Sequence, residues 1–447
     1  MDLYFAGGVG TITGAATLLS VGTEKILVDC GLSLDPRERH LVCAMPPCPP
    51  AEITAIFLTN ASIDNSGCIP HLVKRGFRGK VFCSPLTLKL CEIHLLDHAR
   101  ALEEDFQHLK AQGETTPEPI YSQSDVGEAL KLFRAVPFFE SFEITPGIEC
   151  TISYGGYLPG ASQAIFNISG RQIMFSGNLG RELDPVMLTS SHPSDLDYLI
   201  VNSTLGSRQH SEGDEEVRLA RLIWRTISRK GQLLIPIFNV GRLRALLYRL
   251  YCLKSSGKIP NISIFHDSPY SIRKYEIFSE MPHDLRITSE QIKSTCELTT
   301  QIETYEDSIR LMRCKKPKII LAGNARLVHG RAVRHFENLA TDPANTVAFV
   351  EHQPQGSRGS SLLKGFLEMQ VFKKPIHVKA EIINLEELTP YADSAETVRW
   401  MKGFYRPPLM TFLTHGESPA REHLQAKISN ELKWRTYIPK PFERVSL

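Results

Sequence analysis

The stretch Ile56-Phe57-Leu58-Thr59-Asn60-Ala61-Ser62-Ile63-Asp64-Asn65-Ser66-Gly67-Cys68-Ile69-Pro70 decides the reading of the chain. Ile56, Phe57 and Leu58 form an apolar run of the kind found in buried strands. A polar turn follows. A helix is predicted to open at Gly67 or Cys68 and to run to Arg75, with Gly76 as its C-terminal stop. In layered α/β folds, ligands bind beyond the carboxyl ends of strands, so this turn is a candidate site.

Upstream, Ala16 to Val21 and Lys25 to Gly31 read as strands around a Gly-containing turn, and the Pro-rich segment His40 to Pro50 reads as a loop. Downstream, Val81-Phe82-Cys83 is a short strand, and a long helix is predicted from Pro85 to about Lys110. A second helix is expected over Ile120 to Phe133. Short strands at 149–154, 164–168, 172–175 and 198–201 come next. After His210 the apolar runs become continuous (Leu233 to Ile237, Ile262 to Phe265, Lys318 to Ala322, Thr346 to Val350) and alternate with helical segments, which is the signature of a parallel sheet. The short strands at 381–385 and 409–413 are read as completing the first domain. The predicted architecture is a two-domain α/β protein: a sandwich of sheets with outer helices over 1–205 and 376–447, and an inserted parallel-sheet domain over 206–375.

The 447 residues allow two or three domains with proper cores, and 42% hydrophobic with 22% charged residues is a globular composition. A net charge of +2 does not by itself argue for nucleic acid, so a nucleic-acid site would have to be a local patch. The N-terminus lacks a basic, apolar leader, and no run of about 18 uncharged apolar residues exists, so neither a signal peptide nor a membrane span is expected. Ten cysteines sit in apolar surroundings. They read as small buried hydrophobes of a reducing cytosol, not as a disulfide frame.

The Asn60 turn resembles the Thr-His-x-His-x-Asp-His-x-Gly motif of the metallo-β-lactamase superfamily. Leu58, Thr59, Ala61, Ile63, Asp64, Ser66 and Gly67 keep the frame. The three histidines are replaced by Asn60, Ser62 and Asn65. Val28-Asp29-Cys30-Gly31 resembles the first family motif, whose aspartate orients that turn. Gly155 to Ala161 resembles the third, with Tyr157 for a histidine, and Phe175 to Arg181 the fourth, with Asn178 for the bridging aspartate. The chain is also similar to the β-CASP branch, which contains RNA endonucleases and 5′–3′ exonucleases. Asn202 to His210 resembles the first motif of that branch, with Asn202 for its acid. Gly330 to Phe336 resembles the second, with Arg334 for a phosphate-binding histidine. Thr414-His415-Gly416-Glu417 resembles the third. Tyr391-Ala392-Asp393 resembles a Ser-x-His-x-Asp stretch whose histidine is gone.

The resemblance implies a metallo-β-lactamase sandwich with an inserted β-CASP domain. It also implies that seven positions (60, 62, 64, 65, 157, 178 and 415) would hold two zinc ions. Only Asp64 and His415 there are ligand-competent. Amides and hydroxyls are poor zinc donors, and a zinc site takes about four good ones. No cofactor and no catalytic residue are therefore expected, and the degenerate positions are Asn60, Ser62, Asp64, Asn65, Tyr157, Asn178, Asn202, Arg334 and His415. Arg334, Arg331 and Arg242 are the candidates for contact with an RNA backbone, and Arg334 is expected to bridge to Asp64 or to a phosphate beside it. The expected function is that of a non-catalytic β-CASP paralogue, a partner or scaffold of an active RNA-cleaving β-CASP protein. The inactive subunits of the 3′-end processing and Integrator complexes are the family precedent. RNA binding, a self-dimer and a cytoplasmic location (nuclear in a eukaryote) complete the expectation. The rival reading is an active metal-dependent RNA hydrolase with a reorganised metal site, supplied by Asp64, His415, Asp393 and a nearby histidine.

Overall fold

A computed structural model describes residues 1–34, 41–111, 118–192, 195–210, 215–237, 240–268, 285–323, 325–328, 330–353, 356–372 and 374–447. Two seven-stranded sheets form the first layer pair. One runs in the order Arg444–Ser446, Asp2–Gly7, Ala16–Val21, Glu24–Val28, Ala55–Phe57, Lys80–Cys83, Phe133–Ala135. The other runs Thr436–Tyr437, Met410–Thr414, Tyr198–Asn202, Arg171–Phe175, Ser162–Ile168, Ile148–Tyr154, Ser141–Thr145. Their facing sides share a core containing Leu3, Phe5, Phe57, Phe166 and Phe412. Phe57 meets Phe166 edge-on with ring centres 5.9 Å apart, a favoured aromatic geometry. Alternation of in and out along these strands explains why one face of each sheet is apolar and the other carries helices or solvent.

The third sheet has six strands, all parallel: Thr300–Ile302, Ile264–Asp267, Ile319–Ala322, Leu233–Pro236, Thr346–Phe349, Glu381–Asn384. Its central strands are buried on both faces, as the unbroken Ile-Ile-Leu-Ala of Ile319–Ala322 requires. The strand Glu381–Asn384 pairs with Thr346–Phe349, so it extends this sheet and does not complete the first domain. The strand Met410–Thr414 does lie beside Tyr198–Asn202 in the second sheet.

Three local readings change. Ile120 to Phe133 is a shorter helix, Gln123–Leu130, followed by the edge strand Phe133–Ala135. Ser122 starts that helix with a capping box closed by Asp125, a signal that outweighs the apolar pattern before it. Part of the Pro-rich loop, Leu41–Cys43, pairs with Leu32–Leu34. Cys43 and Cys68 form a disulfide across 25 residues, contrary to the expectation of thiols only. No helix among the described residues is long and apolar enough to cross a membrane.

Candidate functional site

The site lies where the two domains meet, at the carboxyl ends of strands from the first two sheets. The turn after Ala55–Phe57 winds into a short helix, Ile63–Ser66, before Ile69–Lys74 continues. Cys30 N donates to Asn65 O at 2.7 Å and Ala15 N to Asp64 O at 2.9 Å, so the Val28 to Gly31 frame lies directly against the turn. Gly31 is required there, because a Cβ would come within 1.8 Å of Asp64 O.

Asp29 holds the turn from behind. Its backbone is left-handed, at φ 61°. Its Oδ1 accepts from Thr59 N at 2.8 Å and its Oδ2 from Asn65 Nδ2 at 2.8 Å. Burial pushes its pKa up to about 7, against the lowering effect of the Thr59 and Asn65 hydrogen bonds.

From Asp29 a chain of amides crosses the site. Asn178 Nδ2 donates to Asn65 Oδ1 and to the Tyr391 hydroxyl, both at 3.4 Å. Asn202 Nδ2 donates to Asn178 Oδ1 and to His415 Nδ1 at 2.8 Å. The orientation of Asn202 follows from a fixed group: the Thr204 backbone N–H donates to Asn202 Oδ1 at 2.7 Å, so the amide nitrogen must face Asn178 and His415. The other end is fixed by a carboxylate that, when ionised, only accepts. His415 Nδ1 is then the acceptor, and the imidazole proton sits on Nε2. Burial depresses the His415 pKa to about 4, so the ring is neutral, and Nε2 has no hydrogen-bond partner among the described residues. A cavity of ≈ 40 Å³ lies among Asp29, Asn65, Asn178, Asn202 and His415.

Of the other expected positions, Asn60 closes its own turn, accepting from Ser62 N at 3.0 Å. Ser62 precedes the short helix without capping it through its side chain. Tyr157 is buried against Tyr391, ring centres 4.3 Å apart, and Arg242 lies over the Tyr391 ring at 5.1 Å while pairing with Glu351 at 3.1 Å. The sequence signals thus converge in space around one network, to which Tyr391, from the stretch that resembles Ser-x-His-x-Asp, also belongs.

The expected Asp64 partner is different. Arg334 does not reach Asp64; its Nη2 is 3.3 Å from Asp105 Oδ1 on the long helix Pro85–Ala111. The partner is Arg326, whose Nη2 lies 3.1 Å from Asp64 Oδ2 and whose Nη1 lies 3.3 Å from Oδ1. Arg326 follows the strand Ile319–Ala322 of the six-stranded sheet. Its signal was available: a basic residue just past the carboxyl end of a parallel strand. The other two arginines expected at an RNA backbone are also engaged. Arg331 is buried on Asp267 at 2.7 Å within its own domain, and Arg242 is held by Glu351.

Among the described residues, one group places three ligand-type side chains within 4.8 Å of one another: His210, Asp393 and Glu396. Its hydrogen bonds give it a structural role. Asp393 caps the helix Ser394–Met401 through Ala395 N and Glu396 N and accepts from His210 N at 2.7 Å. Glu396 closes the capping box on Asp393 N at 3.0 Å. Asp64 and His415, which the reorganised-site reading joins to Asp393, instead belong to the Arg326 pair and the amide chain.

Comparisons with known proteins agree with this geometry at the level of family. Residues 244–362 match the Beta-Casp domain, and residues 375–439 match the Zn-dependent metallo-hydrolase RNA specificity domain. The chain is 29% identical over 423 residues to Ribonuclease TTHA0252 of Thermus thermophilus, covering 92% of each. It is 25% identical to Transcription termination factor FttA of Methanosarcina mazei, over 99% of this chain and 71% of that one. It is 24% identical to an RNase J-like protein of Methanocaldococcus jannaschii, over 98% and 97%. A solved protein of unknown function from Enterococcus faecalis shares the fold with a TM-score of 0.56 at 13% identity, over 100% and 99% of the two chains.

These matches correct the expectation that no cofactor is involved: the matching domain is Zn-dependent, and the relatives are named as ribonucleases. The seven positions of the family centre do not themselves fit two zinc ions. Five offer amide, hydroxyl or phenol groups, Asp64 carries a guanidinium, and the outward nitrogen of His415 bears the proton. No chemical step is derived through a metal at these seven positions.

Proposed function

Because this chain belongs to the β-CASP branch of the metallo-β-lactamase family, we propose that it acts on RNA, and that it does so by holding RNA between its two domains without cutting it. In this reading it is a partner or scaffold of an RNA-cleaving β-CASP protein. The observation that carries the reading is the Arg326–Asp64 pair. A permanently charged, planar cation from the inserted domain sits on the one carboxylate left in the motif, and the neighbouring positions are knitted into a neutral amide chain. That arrangement balances the carboxylate. It supplies no general base beside a phosphodiester, since Asp64 is engaged and the accepting nitrogen of His415 is bonded to Asn202.

A second reading is favoured by the similarity to Ribonuclease TTHA0252 and to an RNase J-like protein: an active metal-dependent RNA hydrolase with a reorganised site. Incubation of the purified protein with end-labelled single-stranded RNA, with and without added zinc, separates the two. Retention of intact RNA is expected. Cleavage that Asp64→Asn abolishes would overturn the proposal, and cleavage that Asp393→Asn abolishes would favour the reorganised site.

A further inference from the structure

The second interdomain arginine sits in an anion site whose present occupant is a side chain of the first domain. The helix Arg331–Leu339 begins at Gly330, and Gly330 N donates to Asp105 Oδ2 at 2.8 Å. Arg334, one turn along, approaches Asp105 Oδ1 at 3.3 Å. A helix N-terminus with an arginine beside it is an arrangement that binds phosphate. Here a carboxylate fills it, and fills it incompletely. Arg334 is only 7% exposed, yet its Nε and Nη1 have no hydrogen-bond partner among the described residues. Its guanidinium lies over the Tyr305 ring at 4.8 Å. Asp105 engages Nη2 and not the other two guanidinium nitrogens, whereas a phosphodiester offers tetrahedral oxygens on several sides. An open pocket of ≈ 640 Å³ beside Arg334, lined also by Tyr305, Arg100 and Gln107 and by Glu104 and Glu103, which are held by Arg100 and Gln123, leaves room for a nucleotide to approach.

We propose that Arg334 and the N-terminus of its helix form a masked phosphodiester-binding surface, and that Asp105 stands in for a phosphate until RNA replaces it. The inference rests on the reading of the interdomain cleft as an RNA site and adds how that site is gated. Exchange of the Asp105 carboxylate for a backbone phosphate loosens one contact between the domains, so binding and domain separation are coupled.

The test is fluorescence anisotropy of a labelled single-stranded RNA with the full chain, over a series of salt concentrations. Asp105→Asn, which is isosteric but uncharged, is expected to bind about five-fold more tightly than the wild type, because the competing anion is gone. Arg334→Gln is expected to bind more weakly, with the salt dependence reduced by about one counterion. Measurable RNA binding that is equal in the wild type and Asp105→Asn would overturn the inference alone. Absence of binding in every variant would overturn the reading of the cleft as an RNA site and the inference with it.

Discussion

Arg326 and Asp64 are 262 residues apart in sequence and meet across the domain interface at 3.1 Å. Their side chains are 22% and 18% exposed, so the pair is neither a surface bridge nor a fully buried one. Removing one partner leaves the other charge half-buried and uncompensated. Arg326→Met is expected to lower stability by roughly 1–2 kcal/mol, below the full penalty for a buried pair because solvent screens part of it. The double variant with Asp64→Asn should recover most of that loss. A urea-unfolding cycle that gives no coupling between the two positions would show that the pair does not join the domains.

Asp29 and His415 should give opposite pH dependences. The folded pKa of Asp29 is raised to about 7 by burial, so between about pH 4 and 7 the folded state holds a proton that the unfolded state has released, and stability falls as pH rises. The Cys30 and Cys91 thiols near it are pushed up and stay neutral throughout this range. The folded pKa of His415 is depressed to about 4 by burial, which outweighs the opposing influence of Asp64. Between about pH 4 and 6.5 the unfolded state therefore holds the extra proton, and stability rises with pH. In the wild type these slopes largely cancel. Asp29→Asn is expected to leave a stability that rises from pH 4 to 6.5, and His415→Asn one that falls from pH 4 to 7. Thermal melts of both variants across that range check the signs, and parallel profiles would contradict the assignment.

The Tyr157–Tyr391–Arg242 stack provides a packing test. Tyr391 is 5% exposed; its ring packs on Tyr157 and under Arg242, and its hydroxyl accepts from the Tyr157 hydroxyl and, at 3.4 Å, from Asn178. Tyr391→Phe should therefore cost about 1–2 kcal/mol, because the buried Tyr157 hydroxyl loses its acceptor, and Tyr391→Ala about 3–5 kcal/mol. A comparable loss in both variants would move the energetic weight from the ring to the hydroxyl.

What the sequence made legible divides along physical lines. The Asn60 turn, Asp29 behind it and the amide positions 65, 178 and 202 were readable, because each sits in a short local frame fixed by strand ends and glycines. The parallel strands at 233, 319 and 346 were readable because a strand buried on both faces must be apolar throughout. The pairing of Glu381–Asn384 was not, because a half-exposed edge strand carries no mark of which sheet it joins. The partner of Asp64 was misassigned to Arg334. Both arginines follow the same strand, and the seven residues between them carry one to Asp64 and the other to Asp105. Capping boxes such as Ser122–Asp125 and Asp393–Glu396 were visible signals that the apolar pattern overshadowed.

The amide chain itself gives the last prediction. Asn178 is 2% exposed and uses both ends of its amide: Oδ1 accepts from Asn202, and Nδ2 donates to Asn65 Oδ1 and to the Tyr391 hydroxyl. Asn65 cannot turn over to help, because its own Nδ2 is committed to Asp29 at 2.8 Å. Asn178→Asp, which restores the acid that the resemblance places here, would set a carboxylate oxygen against the carbonyl oxygen of Asn65. It would also bury a second anion near Asp29. The variant is expected to lose about 2–4 kcal/mol at pH 8. Protonation restores a donor, so much of the loss should be recovered near pH 5. Adding Asn65→His, whose ring nitrogen can donate toward position 178, should relieve part of the loss without any change of pH. Chemical unfolding of the single and double variants at both pH values measures this. Unchanged stability of Asn178→Asp at pH 8 would mean that the amide at 178 is not what keeps this site neutral.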